Sequence, residues 1–147
     1  MTRAAEGALQ QLLDRAAIHD VLLRYARGVD RRDLDLVASC FTADAVYEGA
    51  LGRGTIVEAL ATLRTALPRY LSTLHFLGNQ VIELDGDTAR SETYALAYHR
   101  LVGERSLVVA VRYLDEFVRR GEGWLICGRV ACTEWRRYDA LVLPANS

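Results

Sequence analysis

Apolar residues recur at three- and four-residue spacing in the first part of the chain: Ile18, Val21, Leu22, Tyr25 and Val29, with Leu9, Leu12 and Leu13 extending the stripe backwards. This period predicts one long amphipathic helix. Gly28 weakens its final turn and Asp30 closes it. Asp33 is suited to cap a short second helix carrying Leu34, Leu36, Val37 and Phe41. Thr42-Ala43-Asp44 reads as a turn and Ala45-Val46-Tyr47-Glu48 as a short strand, while Gly49, Gly52 and Gly54 suggest a flexible connection. Thr55 can cap a third helix with Ile56, Leu60, Leu63 and Leu67, stopped at Pro68.

The period then changes. Leu74 to Leu84 reads as a strand, Asp85-Gly86-Asp87 as a hairpin turn, and Thr88 to Val102 as the returning strand. Ser106 to Arg120 makes a further strand, Gly121-Glu122-Gly123 turns the chain, and Trp124 to Tyr138 is the last. The tail after Leu141 is expected to be loose. Helices first and a meander of long strands afterwards predict an α+β fold, with helices packed on one face of a curved antiparallel sheet.

Parity divides the strand after the hairpin. Ala89, Ser91, Thr93, Ala95, Ala97 and His99 share one face; Arg90, Glu92, Tyr94, Leu96, Tyr98 and Arg100 share the other. Small residues beneath the helices mean either close helix packing or volume left for a ligand. The second face is too apolar for solvent alone and is a candidate subunit interface.

Composition narrows the function. A chain of 147 residues fits one domain, taken as 1–147 with a core of about 9–138. A net charge of −1 leaves no electrostatic footprint for nucleic acid. Every basic residue is Arg, which rules out a Schiff-base lysine or a phosphate-loop lysine. Cys40, Cys127 and Cys132 have no metal-ligand spacing and read as reduced thiols. No apolar run is long enough to span a bilayer and no secretory core opens the chain, so a cytoplasmic protein is expected.

Two residues sit where burial needs an explanation: Asp30 at the helix end, and His75 interrupting an apolar run in Ser72-Thr73-Leu74-His75-Phe76-Leu77-Gly78-Asn79. A carboxylate and an imidazole brought into one apolar pocket make a proton-transfer pair, the carboxylate fixing the ring tautomer and stabilising its cation. Each also has a structural reading. Asp30 can bond nearby backbone amides at a helix end, and His75 can be a hydrogen-bonded core histidine. His19 lies off the apolar stripe and is expected in solvent.

The runs Ala17-Ile18-His19-Asp20-Val21-Leu22-Leu23-Arg24-Tyr25, Val29-Asp30-Arg31-Arg32-Asp33 and Cys40-Phe41-Thr42-Ala43-Asp44-Ala45-Val46-Tyr47 resemble the SnoaL-like branch of the nuclear transport factor 2-like superfamily. His75-Phe76-Leu77-Gly78-Asn79 and Arg119-Arg120-Gly121-Glu122-Gly123-Trp124 continue the match. The resemblance implies an α+β, cone-shaped barrel of a curved mixed or antiparallel sheet, its N-terminal helices closing an apolar pocket. It also implies chemistry without a cofactor or metal, of the kind performed by scytalone dehydratase, a bile-acid dehydratase, a dehydrochlorinase and ketosteroid isomerases. On that pattern Asp30 and His75 are the catalytic pair, His99 a second pocket histidine and Tyr47 a hydrogen-bonding phenol. Tyr25 and Arg129 contact substrate, with Ala95 and Ala97 on the pocket wall.

The implied activity is elimination of water or halide, or double-bond isomerisation, on an apolar oxygenated ring compound. The lyase relatives are trimers, so a homo-oligomer is expected, with a trimer favoured over a dimer. Two alternatives stand beside it: a non-catalytic binding or assembly module, and an epoxide hydrolase. The latter uses an Asp–Arg–Asp set, and no clear second pocket Asp is evident in the sequence. Tyr25 and Tyr47 are equally readable as packing residues, and Arg129 as the partner of a neighbouring acid.

Overall fold

In a computed structural model, which describes residues 2–142, a long helix leads into a six-stranded sheet. Helix α1 spans Arg3–Arg31 and α2 spans Leu34–Ala38. Strands β1 (Phe41–Gly49) and β2 (Gly52–Thr55) precede α3 (Ile56–Ala66) and a short 3-10 turn at Leu67–Arg69. Strands β3 (Ser72–Asp85), β4 (Thr88–Leu101), β5 (Arg105–Arg120) and β6 (Gly123–Ala140) complete the chain.

Local chemistry sets the ends of the helices. Thr2 caps α1, the Asp33 carboxylate accepts from Leu36 N–H at 2.9 Å to start α2, and Thr55 with Glu58 forms a reciprocal capping box on α3. Gly28 serves a different purpose from weakening a turn. A Cβ there would lie 2.8 Å from Val37 Cγ2, so only glycine lets α2 fold back against α1. Ile18, Val21, Leu22, Tyr25 and Val29 are buried, as the period predicts. Leu9, Leu12 and Leu13 are instead exposed, and the first buried residue of α1 is Asp14.

The strand order is β2-β1-β6-β5-β4-β3, and the sheet stays open with β2 and β3 as its edges. All pairs are antiparallel except β1 with β6, which is parallel. The sheet is therefore mixed. Phe41 and the expected turn at Thr42-Ala43-Asp44 belong to β1, where a register shift between Phe41 and Val46 absorbs the polar residues. Gly52 and Gly54 form a paired strand rather than a loose connection. The alternation of β4 appears as predicted: Ala89, Ser91, Thr93, Ala95 and Ala97 are buried, while Tyr94 and Tyr98 are exposed. A bulge between Leu77 and Gln80 reverses parity along β3, so that Thr73, His75 and Leu77 face inward before it and Gln80, Ile82 and Leu84 after it. The predicted loose tail lies, from residue 143 onward, outside the described residues. Among the described residues no helix is long and apolar enough to cross a membrane.

Candidate functional site

Two polar groups lie on the inner face. The first forms where the C-terminal end of α1 meets the start of β3. The Asp30 carboxylate accepts three hydrogen bonds: from the Thr73 hydroxyl at 2.9 Å, the His75 backbone N–H at 2.8 Å, and His75 Nδ1 at 2.7 Å. A carboxylate only accepts, so Nδ1 carries a proton and, in the neutral ring, Nε2 holds the lone pair. The His75 side chain is 7% exposed and that of Asp30 22%, which limits competition from water. Burial pushes the Asp30 carboxyl up, but the bonds from the His75 ring and backbone outweigh it, and the group sits below the usual carboxylate value.

His99 adjoins this pair. It pairs with Thr73 across the β3–β4 ladder, diagonal to His75, and the two rings meet edge to face at 6.2 Å. Its Nδ1 lies 3.3 Å from the Leu107 carbonyl oxygen, and its ring stacks at 4.5 Å on Tyr70.

The second group is built by sheet register. Ser91, Asp115, Arg129 and Tyr47 are successive partners across β4, β5, β6 and β1. Arg129 donates to Asp115 through Nε at 2.6 Å and Nη2 at 2.8 Å, and both side chains are completely buried. The guanidinium lies 4.1 Å from the Tyr25 ring centroid and 4.3 Å from that of Tyr113. Burial opposes the Arg129 charge, yet Asp115 more than offsets this, and the group stays cationic. Its Nη1 is buried without a partner, as are the hydroxyls of Ser91 and Thr93. Burial also pushes the Tyr47 and Tyr113 phenols up, keeping both protonated.

Two clusters, the first partly buried and the second fully buried, thus divide the expected site residues. Asp30, His75 and His99 meet in one; Tyr25, Tyr47 and Arg129 meet in the other. Ala97 pairs with His75, and Ala95 lies two residues further along β4. Along β4, Ala97 and Ser91 are roughly 20 Å apart, but α1 crosses this span. Tyr25 and Asp30 differ by only about 7.5 Å of helix rise, so α1 links the clusters. A cavity of about 910 Å³ is bordered by the exposed Val46, Val81, Leu114 and Val130, and Tyr47, Ser91, Asp115 and Arg129 of the second cluster also contribute to its lining.

Sequence reasoning missed Asp115. No clear second pocket Asp is evident in the sequence, yet the structure buries Asp115 against Arg129. Its signal was phase: Val111, Tyr113, Asp115 and Phe117 alternate, so a carboxylate shares the face of three apolar residues. Thr73 and Tyr70 were missed as well, since each gains its meaning only from a partner distant in sequence. His19, expected in solvent, is half-buried, with Nδ1 2.8 Å from Gln80 Oε1. Cys40, Cys127 and Cys132 are unpaired. Among the described residues no cluster of three or more His, Cys, Asp or Glu side chains is placed to hold a metal ion.

Comparison with known proteins gives this geometry a context. The model of the SnoaL-like domain matches residues 10–130. An uncharacterised protein of Mycobacterium tuberculosis is 32% identical over 128 residues, covering 84% of this chain and 87% of that protein. Hexachlorocyclohexane dehydrochlorinase 1 of Sphingobium indicum is 29% identical over 133 residues, 86% of each chain. The crystal structure of a type 2 hexachlorocyclohexane dehydrochlorinase superposes with a TM-score of 0.84 at 27% identity, covering 95% of this chain and 99% of that one.

Proposed function

The chain belongs to the SnoaL-like domain family, and from that premise we propose that it is a cofactor-independent lyase or double-bond isomerase of an apolar, oxygenated ring compound. The observation that carries the reading is the 2.7 Å bond between Asp30 and a buried His75. A lyase or isomerase also fits the dehydrochlorinase relative. His75 Nε2 takes a proton from carbon, the electron pair of that C–H bond forms the new double bond, and the leaving group departs with its own pair. Asp30 stabilises the imidazolium while the proton resides on His75. Tyr25, Tyr47 and Arg129 Nη1 are donors for a carbonyl or a developing enolate, and Ala95 and Ala97 form the apolar wall. His99 completes the reacting end.

The protein acts as a one-domain unit in a homo-oligomer, a trimer in preference to a dimer, with Leu96 and Tyr98 of the outer sheet face buried between subunits. The three free cysteines fit a reducing cytoplasm. A panel of hydroxylated, keto and chlorinated ring compounds, assayed for loss of water or halide and for double-bond shifts, tests the activity. His75→Ala should lower turnover ~10²–10⁴-fold while binding persists. Compounds that bind tightly and are never turned over, with affinity unchanged in His75→Ala, would make this a binding module.

A second reading rests on the Asp115–Arg129 pair, which supplies two members of a water-activating Asp–Arg set for opening epoxides. Diol formation from a cyclic epoxide, abolished by Asp115→Asn and retained by His75→Ala, would favour it.

A further inference from the structure

The ring of His99 is held on three sides. Tyr70 covers one face at 4.5 Å, tilted by 49°, and His75 approaches edge-on at 6.2 Å. The Leu107 carbonyl faces Nδ1 at 3.3 Å. A carbonyl oxygen accepts and cannot donate, so Nδ1 bears the proton and, in the neutral ring, Nε2 bears the lone pair. The titratable and polar groups facing this ring are His75 from β3, Asp30 from α1, the carbonyls of Leu107 on β5 and Ala97 on β4, and the Tyr70 phenol. Burial and the neighbouring His75 outweigh the two carbonyls and Asp30, and hold His99 below the ordinary imidazole value.

Tyr70 does not reach His99 by chance of a loose loop. Its N–H bonds to the Leu67 carbonyl at 3.1 Å, and its own carbonyl accepts from Arg32 Nη2 at 2.6 Å. The next residue, Leu71, donates to the Arg100 carbonyl at 2.8 Å. Arg32 is the C-cap of α1, in the left-handed region at φ 59°. The turn that ends α1 therefore does two things. It delivers Asp30 to His75, and two residues later it sends Arg32 to the segment carrying Tyr70.

We propose that Tyr70, pinned by Arg32, is a positioning residue that holds the His99 ring with Nδ1–H on the Leu107 carbonyl, so that Nε2 is turned to accept an O–H group presented by the substrate. The substrate clause rests on the function proposed above; the positioning clause does not. A neutral ring with Nδ1–H committed to Leu107 has no proton for a leaving group. In a dehydration, His75 then carries the whole proton cycle. Its Nε2 removes the C–H proton, the C–O bond breaks with its electron pair on oxygen, and the same proton passes from Nε2 to that oxygen, releasing water. His99 instead orients a hydroxyl that the substrate keeps. Replacing that hydroxyl by methoxy or chlorine removes the donor and should weaken recognition.

Proton–nitrogen correlation NMR on the full chain reads tautomer and titration of His19, His75 and His99 separately, without any substrate. In the wild type His99 should show the Nδ1–H tautomer and titrate below the ordinary imidazole value. Tyr70→Phe should preserve both features. Tyr70→Ala and, independently, Arg32→Ala should move its titration up towards the ordinary value of about 6.5. Should Tyr70→Ala fail to fold, Tyr70→Leu and Arg32→Ala carry the same test. An Nε2–H tautomer in the wild type, or an identical His99 spectrum in the folded variants, would overturn the positioning role. For the substrate clause, a turned-over hydroxyl compound and its methoxy analogue should differ at least tenfold in KM, and His99→Ala should erase the difference. Equal KM values overturn that clause alone, and a chain that turns over nothing overturns the proposed function while the NMR result still decides the role of Tyr70.

Discussion

Replacing Asp30 with asparagine removes one charge and changes almost no volume, so its effects can be worked from the three hydrogen bonds the carboxylate accepts. An amide has one oxygen. Oriented to keep Thr73 and His75 Nδ1, it turns its NH2 towards the His75 backbone N–H, donor against donor. Flipped, it keeps the backbone N–H and loses the ring. One buried donor goes unpaired either way, at a cost of about 1–3 kcal/mol in stability. Turnover should suffer more. With the imidazolium and carboxylate charge centres taken as ~4 Å apart at an effective dielectric of ~20, their attraction is about 4 kcal/mol. That corresponds to about 10³ in rate. Urea unfolding followed by fluorescence reads the first quantity, and steady-state kinetics on any active compound of the panel reads the second. KM should move only a few-fold, since the apolar wall is untouched. If Asp30→Asn turned over within tenfold of wild type while His75→Ala was inactive, His75 would not depend on the carboxylate and the pair would not be the catalytic unit.

Three further outcomes are expected. Asp14 accepts two bonds from Arg119 and one from Trp124 Nε1, and the Arg119 guanidinium outweighs burial to hold its carboxyl at about 2. The folded value lies below the unfolded one, so this stability is complete above about pH 4 and is lost as the pH falls through about 2. The gap in unfolding free energy between wild type and Asp14→Asn should therefore shrink by about 2 kcal/mol over that window; a gap independent of pH would contradict the assignment. Asp115→Asn, which leaves the buried Arg129 cation without its counter-charge, should cost about 3–5 kcal/mol by urea titration, whereas replacing the exposed Glu83 should cost under about 0.5 kcal/mol. Phe76→Arg and Tyr98→Arg on the exposed outer face should lower the mass measured by light scattering to that of one chain without changing the far-ultraviolet circular dichroism, and a monomeric wild type would contradict the proposed oligomer.

Periodicity and turn chemistry are local, so the long helix, the caps at Asp33 and Thr55, the meander of strands and the buried face of β4 were legible in the residues alone. Asp30 and His75 stood out for the same local reason, as polar groups in apolar runs. The sequence by itself thus determined which elements form and which side chains need a partner. It did not determine the partners. Two departures arose where the pattern is interrupted: the register shift that carries Thr42, Ala43 and Asp44 through β1, and the bulge at Leu77 and Gln80 that keeps both halves of β3 facing inward. The parallel pairing of β1 with β6 aligns Tyr47, Arg129, Asp115 and Ser91 in one row, although they come from four separate strands. Only the tertiary structure decides such a row, because register depends on hydrogen bonding between strands far apart in the chain. The same holds for Asp115 against Arg129 and for Tyr70 on His99: each meaning lies in a distance across the fold, and a distance of that kind has no local signature.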